Sequence, residues 1–217
     1  MDGNRRWATE QGVPKLEGHR QGYEKVKKVA EWCINRGVKV MTIFAFSTEN
    51  WKRTDDEVGY LMNLVETMFR TDIKELHEQG IRLRVLGQRD RLRPSILEAL
   101  DEAERITQGN DKLTLAVCFN YGGRQEIVDA CKKIIQAGVP IDQISEATIA
   151  SHLYWPDMPE PDLIIRTSGE ERLSGFLLWE CAYSEFYWTK THWPAFSEEH
   201  FDQALEEYAA RQRRYGA

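Results

Sequence analysis

Two hydrophobic rhythms alternate along the chain. From His19 to Arg36, apolar residues return on one helical face at Val26, Val29, Ala30, Cys33 and Ile34, and Gly37 supplies a stop. Val38 to Phe46 is then almost continuously apolar, the pattern of a strand buried on both faces. Thr54 and Glu57 have capping-box spacing and open a long helix, Asp55 to Gln79. Its core face carries Val58, Leu61, Met62, Val65, Met68, Phe69, Ile73 and Leu76. Gly80 ends it, and Ile81 to Leu86 is the next strand. Pro94 opens a helix reaching Thr107, Leu113 to Phe119 reads as a strand, and Arg124 to Ala137 as a helix. A short helix near Ser145 to Leu153 precedes the strand Leu163 to Arg166. Glu185 to Thr189 is a candidate last strand, and Ser197 caps a terminal helix with a basic tail.

Strands joined by helical crossovers imply an α/β fold, a mostly parallel central sheet flanked by helices. With no internal repeat and no low-complexity linker, residues 1–217 are expected to form a single domain. In such sheets ligands bind beyond the carboxyl ends of the strands. The segments there are Ser47-Thr48-Glu49-Asn50-Trp51, Gln88-Arg89-Asp90-Arg91, Asn120-Tyr121-Gly122-Gly123-Arg124, and Arg166 to Ser174. All are polar and three carry arginine, which predicts an anion-binding rim.

A net charge of −6 argues against a general nucleic-acid binder, whose footprint is a basic excess, but leaves room for a local basic pocket. The four cysteines, Cys33, Cys118, Cys131 and Cys181, show no CxxC spacing and sit in apolar segments. Buried reduced thiols in a cytoplasmic protein are expected. No secretory signal or membrane-spanning apolar run stands out.

Arginine forks donate paired, charge-assisted hydrogen bonds to phosphate, and serine hydroxyls and glycine-freed amides complete a cradle. Arg166, Arg172 and Ser174 fit that description. The bland alternative is surface pairing of these arginines with Glu170 and Glu171. The nucleotide motifs GxxxxGK[ST] and GxGxxG are missing, as are HExxH and an EF-hand loop. Asp55-Asp56 does not continue as DDxxD and reads as the first turn of a helix. A second basic cluster lies in "MDGNRRWA": Asp2, Asn4, Arg5 and Arg6, followed by Lys15, His19 and Arg20. Gly18-His19 is taken as the opening of a helix, where backbone amides favour an anion; the plainer role of His19 is a polar cap. A lone carboxylate among phosphate donors suggests Mg²⁺, which shares its coordination with phosphates and water.

In order along the chain stand "MDGNRRWA", "GHRQG", "FAFSTENWKR", "NYGGRQEIVDA", "DLIIRTSGEERLSGFLLWECAYSEFYW" and "WPAF". Together they resemble the cis-prenyltransferases, the family that includes undecaprenyl diphosphate synthase, over essentially the whole chain. The resemblance implies a catalytic domain with a hydrophobic tunnel. It also implies condensation of isopentenyl diphosphate with an allylic diphosphate, commonly farnesyl diphosphate, into a Z-polyprenyl diphosphate with release of diphosphate. By the same resemblance Asp2 is the catalytic aspartate at the allylic diphosphate and Mg²⁺. Gly3, Asn4, Arg5, Arg6, Lys15 and His19 line that diphosphate, and Trp7 sits at the tunnel mouth. Ser47, Thr48, Glu49, Asn50, Trp51 and Arg53 belong to the segment that closes over both substrates, with Asn50 a second catalytic candidate. Arg166, Arg172 and Ser174 match the isopentenyl diphosphate site, and Glu185 a metal-associated carboxylate. The family is typically homodimeric, and Arg214 to Gly216 resembles its carboxyl-terminal RxG, which reaches the partner's site. Membrane contact is expected only at the periphery, for product release.

Departures from the family pattern are Arg5 for glycine, Lys15 for arginine, Glu171 for histidine and Glu180 for glutamine. The family's apolar first strand, which ends at the aspartate, does not precede Asp2 in this sequence, so a natural chain extending upstream is expected. Small Ala45 in "TIFAF", with Leu113 as a far floor, implies a medium or long product. The competing readings are a non-catalytic partner subunit of the same fold and a phosphate-ligand binding module.

Overall fold

The apolar run Leu113–Tyr121 (β3) is the central strand of a three-stranded parallel sheet in this computed structural model, which describes residues 1–211. It pairs on one side with Val40–Ser47 (β1) and on the other with Ile81–Leu86 (β2). Every residue of β3 except Thr114 is buried, as a strand covered on both faces requires. Burial of each large side chain, Leu115 and Phe119 among them, contributes roughly 1.5–3 kcal/mol. β1 departs from expectation. It buries only Met41, Ile43 and Phe46, because it is the edge of this ladder, and its register shifts between Phe44 and Phe46 around Ala45.

These strands belong to the larger of two compact units, Cys33–Pro159 with Leu173–Ala182. Pro94–Thr107 (α5) packs on β2, and Asp55–Thr71 (α3) and Ile73–Glu78 (α4) pack against α5. The expected long helix is therefore two helices. The break falls at Thr71 and Asp72, both weak helix formers, while the apolar face continues through Ile73 and Leu76. Thr54 makes no side-chain cap, and the Glu57 carboxylate accepts from Arg53 at 2.8 Å. Gly123–Gln136 (α6) and the short Glu146–Ala150 (α7), capped by Ser145, pack together. A second apolar cluster unites Leu86, Ala116, Cys118, Tyr121 and Leu177 with Phe44, Tyr154, Trp155 and Phe176.

The smaller unit comprises Met1–Trp32, Glu160–Arg172 and the chain from Tyr183 onward. Here Leu163–Arg166 (β4) pairs in parallel with Glu185–Trp188 (β5), and Glu198–Ala210 (α8), capped by Ser197, lies near β5. Asn4–Glu10 (α1) has no apolar period and was not anticipated as a helix. Its start lies against the long helix Lys15–Asn35 (α2) at two glycines. A Cβ at Gly18 would sit 2.1 Å from the Asn4 carbonyl oxygen, and one at Gly22 would sit 2.5 Å from Asn4 Oδ1. Alanine at Gly18 meets α1 backbone and pushes the helix away, whereas alanine at Gly22 displaces the Asn4 side chain.

The parallel strands with helical crossovers agree with the expected α/β class. Cys33, Cys118 and Cys181 are buried free thiols, but Cys131 is exposed, because it falls on the solvent side of α6. Among the described residues no helix is long and apolar enough to cross a membrane. Arg214 to Gly216 lie outside the described residues.

Candidate active site

Asp2 is fixed by residues distant in sequence as well as by its own neighbours. Its backbone N–H donates to Thr167 Oγ1 at 2.9 Å, and the same hydroxyl donates to the Asp2 carbonyl at 2.8 Å. The Trp193 N–H also donates to that carbonyl at 2.9 Å. The Asp2 side chain accepts from the Gly3 N–H at 2.8 Å and from Arg166 Nη2 at 3.1 Å, with Arg6 Nη2 3.5 Å away. Partial burial pushes this carboxyl up. The hydrogen bonds from Arg166 and Gly3, with the Arg166 charge, outweigh burial and hold its pKa below the ordinary value. Asp2 is thus a half-exposed anion held at the carboxyl end of β4.

Gly3 caps α1 at φ +96° and has no room for a side chain: a Cβ would meet Ser168 Oγ at 2.4 Å and His192 Nδ1 at 2.6 Å. Beneath it Ser168 Oγ lies 2.5 Å from His192 Nδ1, whose other nitrogen, Nε2, lies 2.9 Å from Glu10 Oε1. A carboxylate only accepts, so in the neutral ring Nε2 carries the hydrogen and Ser168 donates to Nδ1. His192 therefore ties the loop under Gly3 to the far end of α1.

The arginines gather around the same strand end. Arg6 Nη1 donates to the Ser168 carbonyl at 3.1 Å and pairs with Glu170 at 2.9 Å. Arg172 pairs with Glu170 as well, and Arg166 Nη1 reaches the Arg172 carbonyl. One carboxylate thus serves two arginines, and the Arg172–Glu170 pairing foreseen as the bland alternative is present. Arg5 and Lys15 are exposed at the starts of α1 and α2, and Trp7 is half-buried on α1. His19 is buried a full turn inside α2, so it does not mark a helix start; α2 begins at Lys15.

The strand ends of the larger unit form their own group. Ser47 caps a short 3-10 turn, Thr48–Lys52: its hydroxyl accepts from the Glu49 N–H at 3.2 Å, and Asn50 Oδ1 accepts from the Ser47 N–H at 3.0 Å. Trp51 Nε1 donates to Asn120 Oδ1 at 2.8 Å, and Arg91 stacks over the Trp51 ring. Asn120, fully buried at φ +50°, also donates to the carbonyls of Gln88 and Asp90 at 3.0 Å, tying three strand ends together. Arg53 is taken by Glu57, and Arg89 by Asp101 at 2.6 Å. The β2 end is therefore neutralised by its own helix and does not join a uniform anion rim. Ser174 stands at φ +52° beside Gly175, whose carbonyl accepts the Gly123 N–H at 2.8 Å. Thr167, Ser168 and Asn120 fall in segments the strand ends marked out but have no individual sequence signal, and His192 has none at all; contacts across 24 to 165 residues reveal the roles of Thr167, Ser168 and His192.

Among the described residues no group of three or more His, Cys, Asp or Glu could hold a metal ion. A lone ionised carboxylate still fits Mg²⁺ when substrate phosphates and water fill the other positions, and Asp2 meets that requirement. Glu185 is not brought to it. It faces Leu163 at the opposite end of the β4–β5 ladder from Arg166, about 10 Å along the strands, and pairs with Arg211 at 2.5 Å.

A family model described as "Putative undecaprenyl diphosphate synthase" matches residues 1–216. The chain is 47% identical to an isoprenyl transferase of Agrobacterium fabrum, over all of this chain and 90% of that protein. It is 48% identical to a trans,polycis-polyprenyl diphosphate synthase of Thermobifida fusca, specific for (2Z,6E)-farnesyl diphosphate, covering 78% of that protein. Among solved structures, lavandulyl diphosphate synthase from Lavandula x intermedia, in complex with dimethylallyl diphosphate, superposes with a TM-score of 0.95. That match has 36% identity and covers all of this chain and 95% of the other.

Proposed function

The chain belongs to the undecaprenyl diphosphate synthase family, and from that premise we propose how its residues divide the reaction. It is a prenyltransferase that joins isopentenyl diphosphate to an allylic diphosphate, releasing diphosphate and lengthening a Z-polyprenyl diphosphate. The whole chain acts as one catalytic domain. Asp2, Gly3, Asn4, Arg5, Arg6, Lys15 and His19 serve the allylic diphosphate. Arg166, Arg172 and Ser174 serve isopentenyl diphosphate.

The observation that carries this division is Asp2, kept ionised by Arg166 beside Arg6. Breaking the allylic C–O bond leaves positive charge on carbon and the electron pair on the departing diphosphate. Oriented arginine donors stabilise that developing anion, and they are preorganised here by Ser168 and Glu170. Bound Mg²⁺ supplies further neutralisation of diphosphate charge, held by Asp2. The isopentenyl alkene attacks the allylic carbon, and a proton leaves its C2 for a diphosphate oxygen or a water held by Asn50. An incoming diphosphate competes with Glu170 for Arg6 and Arg172. A homodimer, a cytoplasmic location and peripheral membrane contact complete the proposal.

Farnesyl diphosphate is the proposed starter. The Thermobifida relative is named for a farnesyl isomer, and so is the Legionella pneumophila relative. Chromatography of products made from radiolabelled isopentenyl diphosphate with geranyl, farnesyl and geranylgeranyl starters tests this. Medium or long Z-polyprenyl products are expected. Absence of any diphosphate release would leave a binding module or a non-catalytic partner subunit instead.

A further inference from the structure

Behind the turn that carries Ser174 lies a pair of buried carboxylates that the reaction does not use. Glu126, in the first turn of α6, is 1% exposed, and Glu180 is 6% exposed. Glu126 is well supplied: Oε1 accepts the Tyr154 N–H at 3.0 Å, and Oε2 accepts the Tyr121 hydroxyl. Glu180 is not. Backbone amides at Trp179 and Glu180 favour its charge, but Oε2 is buried without a hydrogen-bond partner. An ionised carboxylate with an unmatched buried oxygen is costly.

Among the described residues no cation acts on Glu180. Cys118 and Tyr121 on β3, Tyr154 on the adjoining loop and Cys181 on the same segment are all pushed up by burial and stay neutral. Burial pushes the Asp129 carboxyl up, but bonds from Tyr154, Gln125, Gln88 and Lys132 outweigh it and leave it ionised. Lys133, the cation that acts on Glu126, is turned to the carbonyl of His152 at 3.1 Å. Burial first, and then the like charge of Glu126, raise Glu180 to about 7. Of the two buried carboxylates, Glu126 has Lys133 acting on it and two hydrogen-bond donors, whereas Glu180 has backbone amides alone, so Glu180 is the poorer anion.

The segment around Glu180 combines apolar packing with a few backbone hydrogen bonds, Phe176 N–H to the Leu173 carbonyl at 3.1 Å and Cys181 N–H to the Leu177 carbonyl at 2.9 Å among them. Ser174, Gly175 and Leu177 all adopt positive φ, at 52°, 83° and 43°. Such backbone persists only where its surroundings over-determine it. Leu177 and Phe176 sit in the apolar cluster, and the Gly123 N–H pins the Gly175 carbonyl at 2.8 Å, a contact so close that a Cβ on Gly123 would meet that oxygen at 2.7 Å. Glu180 lies on the same short stretch as this turn, and Glu126 on the same helical turn as Gly123.

We propose that Glu180 is a positioning residue for isopentenyl diphosphate: as a neutral carboxylic acid it lets the Ser174 turn seat on α6, and its ionisation loosens that seat. This rests on the assignment of Ser174 to isopentenyl diphosphate. Ionisation places a second anion in the cluster, draws water to it and relaxes the left-handed turn.

The test is initial-rate kinetics of the wild type and Glu180→Gln at about pH 6 and about pH 8.5. In the wild type, KM for isopentenyl diphosphate rises roughly fivefold or more between those limits, while KM for farnesyl diphosphate follows only the titration of its own phosphates. Glu180→Gln, neutral at every pH, keeps the low value at both. Titration of the substrates is common to the two proteins and cancels in the comparison. Turnover with parallel KM–pH curves in the two proteins overturns the inference alone. Absence of turnover in the wild type at any pH overturns the functional reading beneath it. Melting curves against pH show that the variant is folded.

Discussion

Asp2 and Glu180 carry the same functional group and are driven in opposite directions. Asp2 is 37% exposed and faces Arg166; Glu180 is buried and faces another carboxylate. Burial opposes ionisation in both, yet Asp2 stays below the usual carboxylate range and Glu180 climbs to about 7. Burial is the largest single effect on each; at Asp2 the Arg166 guanidinium and the Gly3 amide together outweigh it, while at Glu180 only backbone amides oppose it and burial wins. Where a cation and a backbone amide face the group, the charge is kept for chemistry; where nothing faces one oxygen, the proton is kept and the group becomes part of the scaffold.

The hardest break in this contrast is Asp2→Ala. Turnover is expected to fall by about 10² or more, the scale for loss of one preorganised electrostatic group, with isopentenyl affinity measured without metal little changed. Chelation of Mg²⁺ should stop the wild type, and added Mg²⁺ should not rescue the variant fully. Near-normal turnover in Asp2→Ala would remove the catalytic assignment. Arg166→Ala comes next. Losing a charge-assisted donor should weaken isopentenyl diphosphate binding by about 1.5–3 kcal/mol. It also releases the Asp2 carboxyl upward, so the acid limb of the kcat profile moves to higher pH; an unmoved limb would uncouple the pair.

His192→Ala sharpens the Asp2 side of the comparison. The ring contributes through Ser168 and Glu10 and touches no substrate, so a loss of about 1 kcal/mol, roughly fivefold in kcat, is expected, with KM for isopentenyl diphosphate unchanged. A matched fall in both constants would mean general damage. Glu180→Gln sharpens the other side by stability. The folded pKa of Glu180 lies above its unfolded value, so the folded state binds the extra proton between about pH 4.5 and about 7. Its contribution is greatest below that window, is lost as pH rises through it, and is flat above. The variant should therefore melt a few degrees higher than the wild type at about pH 8.5 and alike near about pH 4.5; equal melting at both ends would show that Glu180 is not strained by its charge.

Periodicity located most of this fold. Leu113 to Phe119 and Pro94 to Thr107 were readable because their apolar spacing reports burial directly. It failed where other forces rule. α1 has almost no apolar face and is held by close approach to Gly18 and Gly22; β1 lies at a ladder edge, which composition does not encode; Thr54 stands at the helix start without a side-chain cap. For the candidate site, charge clusters named Asp2, Arg6 and Arg166. Thr167, Ser168 and Asn120 were visible only as members of strand-end segments, and His192 not at all, because their roles exist only after distant segments meet. Glu180 looked like a simple departure until its unmatched oxygen and Glu126 appeared together.

The exposure of Cys131 has a practical consequence. Its three companions are buried, and burial raises the Cys33, Cys118 and Cys181 thiols, so an alkylating reagent applied to the folded protein meets Cys131 first. That thiol lies on α6, the helix whose opening turn supports both Glu126 and Gly123. A fluorophore attached there, without any substitution, would give an optical signal from the helix on which the Ser174 turn is anchored.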